Sequence, residues 1–252
     1  MDKKPAVEYV QRDYRVRHEA RDLRYFQVSI KETDLAIGVD KASYTDRLSV
    51  LCKEEILRLR AELENYISIH PEFRTSFKPL PLIPGAPAIA SIMSGAAFCA
   101  GVGPMAAVAG AIAQAVGEKI KSEVQEVIIE NGGDIYLNSQ CDRLISVFAG
   151  QSIFSHKIAL RVRAKQSPIG ICTSSGTVGP SISLGQADAV VVLSPHTSLA
   201  DAAATGAANL VQDTNDLMKA VNFVKAINGV TGVLAIKDDK MAAWGNIEVV
   251  GI

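Results

Sequence analysis

Residues 124–139 read VQEVIIENGGDIYLNS, and the fold turns on this stretch. Val127, Ile128 and Ile129 on one side and Ile135, Tyr136 and Leu137 on the other are strand-forming residues. Asn131-Gly132 between them is a favoured two-residue hairpin loop. One reading is therefore an antiparallel hairpin. A second carries equal weight: Gly132 and Gly133 expose bare backbone to a ligand, with Asn131 beside them and Asp134 as a polar contact.

Working outward, strand character recurs at 142–151 (DRLISVFAGQ), 157–164 (KIALRVRA), 168–175 (PIGICTSS) and 187–194 (ADAVVVLS). Two helices follow. Residues 198–211 (SLADAAATGAANLV) are capped in this reading by Thr197 or Ser198, and residues 215–227 (NDLMKAVNFVKAI) are stopped by Asn228-Gly229. Strands are expected to close the chain at 229–238 and 246–252. Upstream, 8–17 and 24–40 alternate apolar and polar residues with a turn at Glu19 to Asp22, the pattern of a hairpin with one wet face. Leu51, Ile56, Leu59, Leu63, Tyr66 and Ile67 recur at helical spacing in an amphipathic helix ended near Pro71. Small-residue helices are expected at Ala88–Cys99 and Met105–Ser122, the second with Pro104 at its first turn. Adjacent strands punctuated by helix pairs argue for an α+β fold with mainly antiparallel sheets packed against helices.

The charge distribution divides the chain. Residues 1–78 hold 29 of the 53 charged side chains, whereas 18 of the 19 glycines follow residue 79. The reading is one domain over 1–252, with a charged strand-and-helix elaboration at 1–78 and a small-residue core at 79–252. A formal net charge of -1 gives no electrostatic footprint for nucleic acid. From Pro79 to Gly117 no charge occurs, but five prolines and many Ala, Gly and Ser residues argue for buried helices rather than a membrane span. The four scattered cysteines form no zinc motif, and the polar N-terminus offers no signal peptide, which together point to a reduced, cytoplasmic protein.

Four constellations carry chemistry. Gly101-Val-Gly103-Pro-Met-Ala106 matches a dinucleotide fingerprint in form but lacks the preceding strand and the acidic residue about twenty positions on. What survives is a glycine turn leading into a helix whose free N–H groups can receive an anion. The second constellation is Glu130-Asn131-Gly132-Gly133-Asp134. The third is Cys172-Thr173-Ser174-Ser175-Gly176, hydroxyl-rich and suited to phosphate or ribose oxygens; as a nucleophile elbow it fails, because Cys172 replaces the first glycine. The fourth is Asp201-Ala-Ala-Ala-Thr205, in which a carboxylate and a hydroxyl one helical turn apart supply hard oxygens suited to magnesium, the plainer reading being an acidic residue in the first turn of a helix.

In this order, VAGAIAQAVGEK, ENGGDIYL, TSSG and ADAAAT resemble the ApbE family, flavin transferases that move FMN from FAD onto a threonine or serine of a target protein. The whole chain is similar to an uncharacterised bacterial and archaeal branch of that superfamily, through ETDL, HPEF, GVGPMAAVAGAIA, ENGGDIYL and ADAAATGAAN. The resemblance implies a T-fold-like architecture, with FAD or FMN and magnesium in a cleft. Asp201 and Thr205 match the metal positions, Gly132 to Asp134 a strand end near the nucleotide, and Ser175-Gly176 a loop beside it. Backbone N–H groups near Gly103 and Gly176 would face the phosphates, and Asp134 and His196 are the candidate bases. It also implies an acceptor protein as partner, and a homo-oligomer is left open. Two departures stand out: Ala109 occupies the lysine position of an Ala-Lys-Gly segment, and no histidine occurs in TVGPSISLGQA, where the transferases carry one. Loss of the transfer chemistry with retention of ligand binding is the alternative.

Overall fold

The computed structural model describes residues 22–177 and 184–252. The chain opens with β1 (Leu23–Ile30) and β2 (Thr33–Asp40), followed by helices α1 (Asp46–Ile69), α2 (Glu72–Thr75) and α3 (Ala88–Ala100). A 3-10 turn over Pro104–Ala107 leads into α4 (Val108–Ile120). Strands β3 (Val127–Asn131), β4 (Asp134–Asn138), β5 (Arg143–Ser146), β6 (Ile158–Val162), β7 (Ile169–Ser174) and β8 (Ala189–Ser194) follow. The chain then forms α5 (Thr197–Ala208), α6 (Leu217–Lys225), β9 (Gly232–Lys237), β10 (Lys240–Gly245) and β11 (Val249–Gly251).

Eight strands form one sheet in the order β1-β2-β3-β4-β7-β8-β9-β10, and β11-β6-β5 form a second. Every pairing is antiparallel, so the α+β class and mainly antiparallel sheets hold. The alternation of side chains across the large sheet feeds two cores. Leu35, Ile37, Val127, Ile129, Cys172, Val190 and Val192 pack under the helices. Leu137, Ile169, Ile171, Val191 and Leu193 face the small sheet. A strand covered on both faces needs apolar residues at every position, which is why β8 reads AVVVLS without a break.

Several expectations shift. The alternation over 24–40 divides into two strands that pair with each other around a turn at Lys31, whose φ is 52°. The strand expected at 8–17 lies outside the described residues, as do residues 19–21 of its turn and residues 178–183 after the Ser-Gly loop. Helix α5 starts at Thr197 with His196 at the cap position, and neither Thr197 nor Ser198 caps it. Instead, the Thr197 N–H donates to Oε1 of Gln114 on α4 at 2.8 Å, so the neighbouring helix satisfies that end. Strand β10 had no period-two signal, because its KMAAWG sequence sits at the sheet edge with four of six residues exposed.

Among the described residues no single helix is long and apolar enough to cross a membrane. The segments Ala88–Ala100 and Pro104–Ile120 meet that test only jointly, and they are bent by 103°. Gly101, in a left-handed conformation with φ 65°, ends α3, and the prolyl turn redirects the chain into α4.

Candidate functional site

The hairpin at 124–139 forms, but its two-residue loop is Gly132-Gly133 rather than Asn131-Gly132, and Asn131 pairs to Asp134 across them. Both glycines have positive φ, 69° and 106°, the backbone a tight loop of this kind requires. Beyond Gly133 the nearest atom to a hypothetical Cβ is the Thr173 carbonyl, 3.7 Å away, so the tip is open. Period-two alternation turns Asn131 and Asp134 toward the helices, where both are buried. The Asn131 side-chain amide donates to the Ala109 carbonyl of α4 at 3.1 Å.

Helices α4 and α5 meet at Gly110. A Cβ there would lie 2.5 Å from the Thr197 carbonyl and 2.9 Å from Cβ of Asp201, so only glycine permits this approach. The contact brings the first turn of α4 onto Asp201, whose Oδ2 accepts the Gly110 N–H at 2.8 Å. Asp201 is the fifth residue of α5 and lies beyond its first turn. The helix end it faces is that of α4, where unpaired N–H groups and the macrodipole favour a negative charge. The anion-receiving helix start anticipated after Gly101 and Gly103 is thus at Ala109–Gly110, and the anion it receives is internal. Gly101 itself is exposed, and Gly103 packs against the backbone of Ser76.

Asp134 and Asp201 are only 7% and 9% exposed. Burial, opposed in part by hydrogen bonding from Cys172 and the Thr173 N–H and reinforced by the charge of Glu130, pushes the Asp134 carboxyl up to about 7. Burial, followed by the charge of Asp134, pushes Asp201 well above the usual carboxylate range. Cys172, paired to Asp134 in the sheet register, has its thiol raised by burial and then by both carboxylates, and it donates to the Thr197 carbonyl at 3.3 Å. Among the described residues, no lysine or arginine acts on either aspartate. Two buried carboxylates without a cationic partner hold a proton or take a cation.

Thr205 lies one turn beyond Asp201 on the same face of α5, and Ala202, Ala203 and Ala204 between them are buried. Among the described residues no group of three His, Cys, Asp or Glu forms a metal cluster. Magnesium does not need one, since it is commonly held by one or two carboxylates with substrate phosphates completing its shell. Asp134 and Asp201 offer hard carboxylate oxygens and Thr205 a neutral hydroxyl oxygen, a donor set that fits that pattern.

The Ser-Gly loop leaves the same end of the sheet. Thr173 and Ser174 are the last residues of β7, with Ser174 buried. The Ser175 hydroxyl donates to the Ala187 carbonyl at 3.3 Å and accepts the Thr177 N–H at 3.1 Å. A Cβ on Gly176 would lie 2.0 Å from the Gly185 carbonyl, so the two segments touch through bare backbone. His196 is exposed at the start of α5, whereas Asp134 lies in the acid pair. Sequence reasoning missed Gly110 as part of this site, although it carried a signal as the glycine of the altered Ala-Lys-Gly segment; Glu130 and Cys172 stood inside two of the constellations without a role for their side chains.

Comparison with known proteins bears on the family and the fold. Residues 15–229 match the family model described as AbpE bacteria. A UPF0280 protein of Methanococcus maripaludis strain C7 is 39% identical over 248 residues, covering 89% of this chain and 98% of its own. The crystal structure of the ApbE protein from Thermotoga maritima shares the fold with a TM-score of 0.53 at 12% identity, over 89% of this chain and 96% of that one. A flavinyl transferase ApbE from Pseudomonas stutzeri, in its apo form, aligns at 11% identity with a TM-score of 0.49, over 88% and 94% of the two chains. With the model matched over most of the sequence and the relative alike over nearly its whole length, the chain belongs to the AbpE bacteria family, in its UPF0280 branch, and has an ApbE-like fold.

Proposed function

We propose that this protein binds a flavin nucleotide, FAD or FMN, together with magnesium, in a site built from Asp134, Asp201 and Thr205, and that it acts in a reduced, cytoplasmic setting. The observation that carries the reading is the buried Asp134–Asp201 pair, which no cationic side chain among the described residues offsets. Magnesium, when bound, neutralises pyrophosphate charge and polarises the bond to the leaving group. The chain's own residues do the rest. The Gly110 N–H fixes the orientation of Asp201. The Asn131 amide fixes the carbonyl of Ala109 and so the start of α4. Asp134 carries a proton until a cation displaces it.

Transfer of FMN to a hydroxyl of an acceptor protein is the activity this arrangement supports by resemblance. A second reading, ligand binding without transfer, is supported by Ala109 at the lysine position and by the exposure of His196, the one histidine offered as a base. Titrating FAD fluorescence with protein in magnesium and again in EDTA tests the binding claim. Binding only in magnesium is expected, and equal binding in EDTA refutes it. Release of AMP from FAD in the presence of an acceptor protein separates enzyme from binder.

A further inference from the structure

Helix α3 turns a face without charge to the solvent. Ser91, Ile92, Gly95, Phe98 and Cys99 are exposed, Ile92 at 52% and Phe98 at 56%. At 3.6 residues per turn these positions fall within about a third of the helix circumference. The outer face of a surface helix ordinarily carries charged side chains, as α1 does with Lys53, Glu54 and Arg58. Between Pro79 and Gly117 there is no charge at all.

The connector before α3 widens this face. The Ser94 hydroxyl donates to the Leu80 carbonyl at 2.9 Å, and a Cβ on Gly103 would lie 3.1 Å from Cα of Phe77. Ser94 and Phe98 are one turn apart, so the connector runs on the Phe98 side of α3. It adds Phe77, 61% exposed, and Leu82, 41% exposed. At the other end a groove of about 460 Å³ opens where Gly85 and Pro87 lead into α3 and meet Tyr66 and Ile69 of α1. The Tyr66 hydroxyl pins that end by accepting the Ile83 N–H at 3.0 Å.

The face is complementary to itself. Gly95 lies at its middle, and nothing stands within 4 Å of the position its Cβ would take, which leaves room for close approach. Pro87 and the groove precede Gly95 by about as many residues as Gly103, beside Phe77, follows it. A second copy laid antiparallel, Gly95 over Gly95, brings the Phe77 of each chain to the groove of the other. Pairing of a knob with a hole across a two-fold axis is what an isologous contact requires.

We propose that the α3 face is the interface of a homodimer, crossed at Gly95, with Phe77 of each chain seated in the groove between α1 and the start of α3 of its partner. Helix and connector together give a footprint on the order of 400 Å². The groove at one end and Phe77 at the other carry the contact toward the roughly 800 Å² per partner that a stable dimer buries. Two other occupants suit the face less. Residues 1–21 bring Lys3, Lys4, Arg12, Asp13, Arg15 and Arg17, which a face without charge leaves unpaired. A helix that lies on a membrane surface carries Lys or Arg along its polar side, and α3 has neither.

Sedimentation equilibrium of the full chain tests the interface in wild type, Phe77→Glu and Phe98→Glu, with thermal unfolding to confirm that the variants fold. Wild type is expected at twice the mass of one chain, and each variant is expected to raise the dissociation constant at least about tenfold. Ser91→Cys reads the register, because the crossing at Gly95 sets that position against the partner's Cys99. Mild oxidation of this variant is expected to give a covalent dimer that reductant splits and that Cys99→Ser in the same background abolishes. A monomeric wild type overturns the proposal; binding to phosphatidylcholine vesicles, or dimerisation once residues 1–21 are removed, then identifies the other occupant. A dimer that both glutamate variants leave intact, or that Ser91→Cys does not cross-link, overturns it as well.

Discussion

The backbone N–H of Gly110, in the first turn of α4, donates to Oδ2 of Asp201 on α5 at 2.8 Å. The glycine allows the two helices to meet, and the carboxylate takes the place of a cap at the start of α4. Substituting Gly110 by alanine puts a methyl group against the Thr197 carbonyl, which cannot retreat without moving α5. Overpacking of this kind costs about 1–3 kcal/mol. Gly110→Ala is therefore expected to melt several degrees below wild type and to lose magnesium affinity, as read by thermal unfolding with and without the metal.

Neutralising either acid should separate stability from binding. Asp201→Asn keeps an acceptor for the Gly110 N–H and removes the repulsion with Asp134. In EDTA this variant is expected to be at least as stable as wild type, and magnesium should no longer raise its melting temperature. A loss of stability in EDTA with metal response retained would contradict the role given to the pair.

The pH dependence has a definite sign. Asp134 holds its proton up to about 7 in the folded protein, against an ordinary value of 3.8. The folded state binds more protons between these limits, so the stability that protonation contributes is complete below the lower value and is lost as pH rises through the upper one. Melting temperature in EDTA should fall between about pH 4 and pH 7, and Asp134→Asn should flatten that fall. Magnesium should flatten it too, because the cation replaces the proton, and its binding should release protons measurable in buffers of different ionisation enthalpy.

The Ser-Gly loop offers an independent probe. Gly176→Ala brings a methyl group onto the Gly185 carbonyl. The expected result is weaker nucleotide binding with magnesium pyrophosphate affinity retained, since the acid pair lies on β4 and α5 rather than on this loop. Calorimetry with both probes reads the difference.

Much of this was legible from residues 124–139 and their neighbours. Two apolar runs around Asn-Gly fixed the central hairpin, and the unbroken AVVVLS run marked a strand covered on both faces. The Asp201-to-Thr205 spacing placed both on one helical face, which holds because α5 is continuous from Thr197 to Ala208. What sequence could not show was which helix end Asp201 would meet, since Gly110 lies 91 positions away. The edge strand β10 escaped because only Ala242 and Trp244 of its six residues pack against the core, too few to write an alternation into KMAAWG.

The most direct test is calorimetry of FAD, FMN and AMP binding to wild type and to Asp201→Ala, with magnesium and with EDTA. Wild type is predicted to bind FAD or FMN in magnesium and to lose at least about tenfold in affinity in EDTA, and Asp201→Ala to show the same loss even in magnesium. No binding by wild type in magnesium, or equal binding by both proteins, would contradict the metal-nucleotide site.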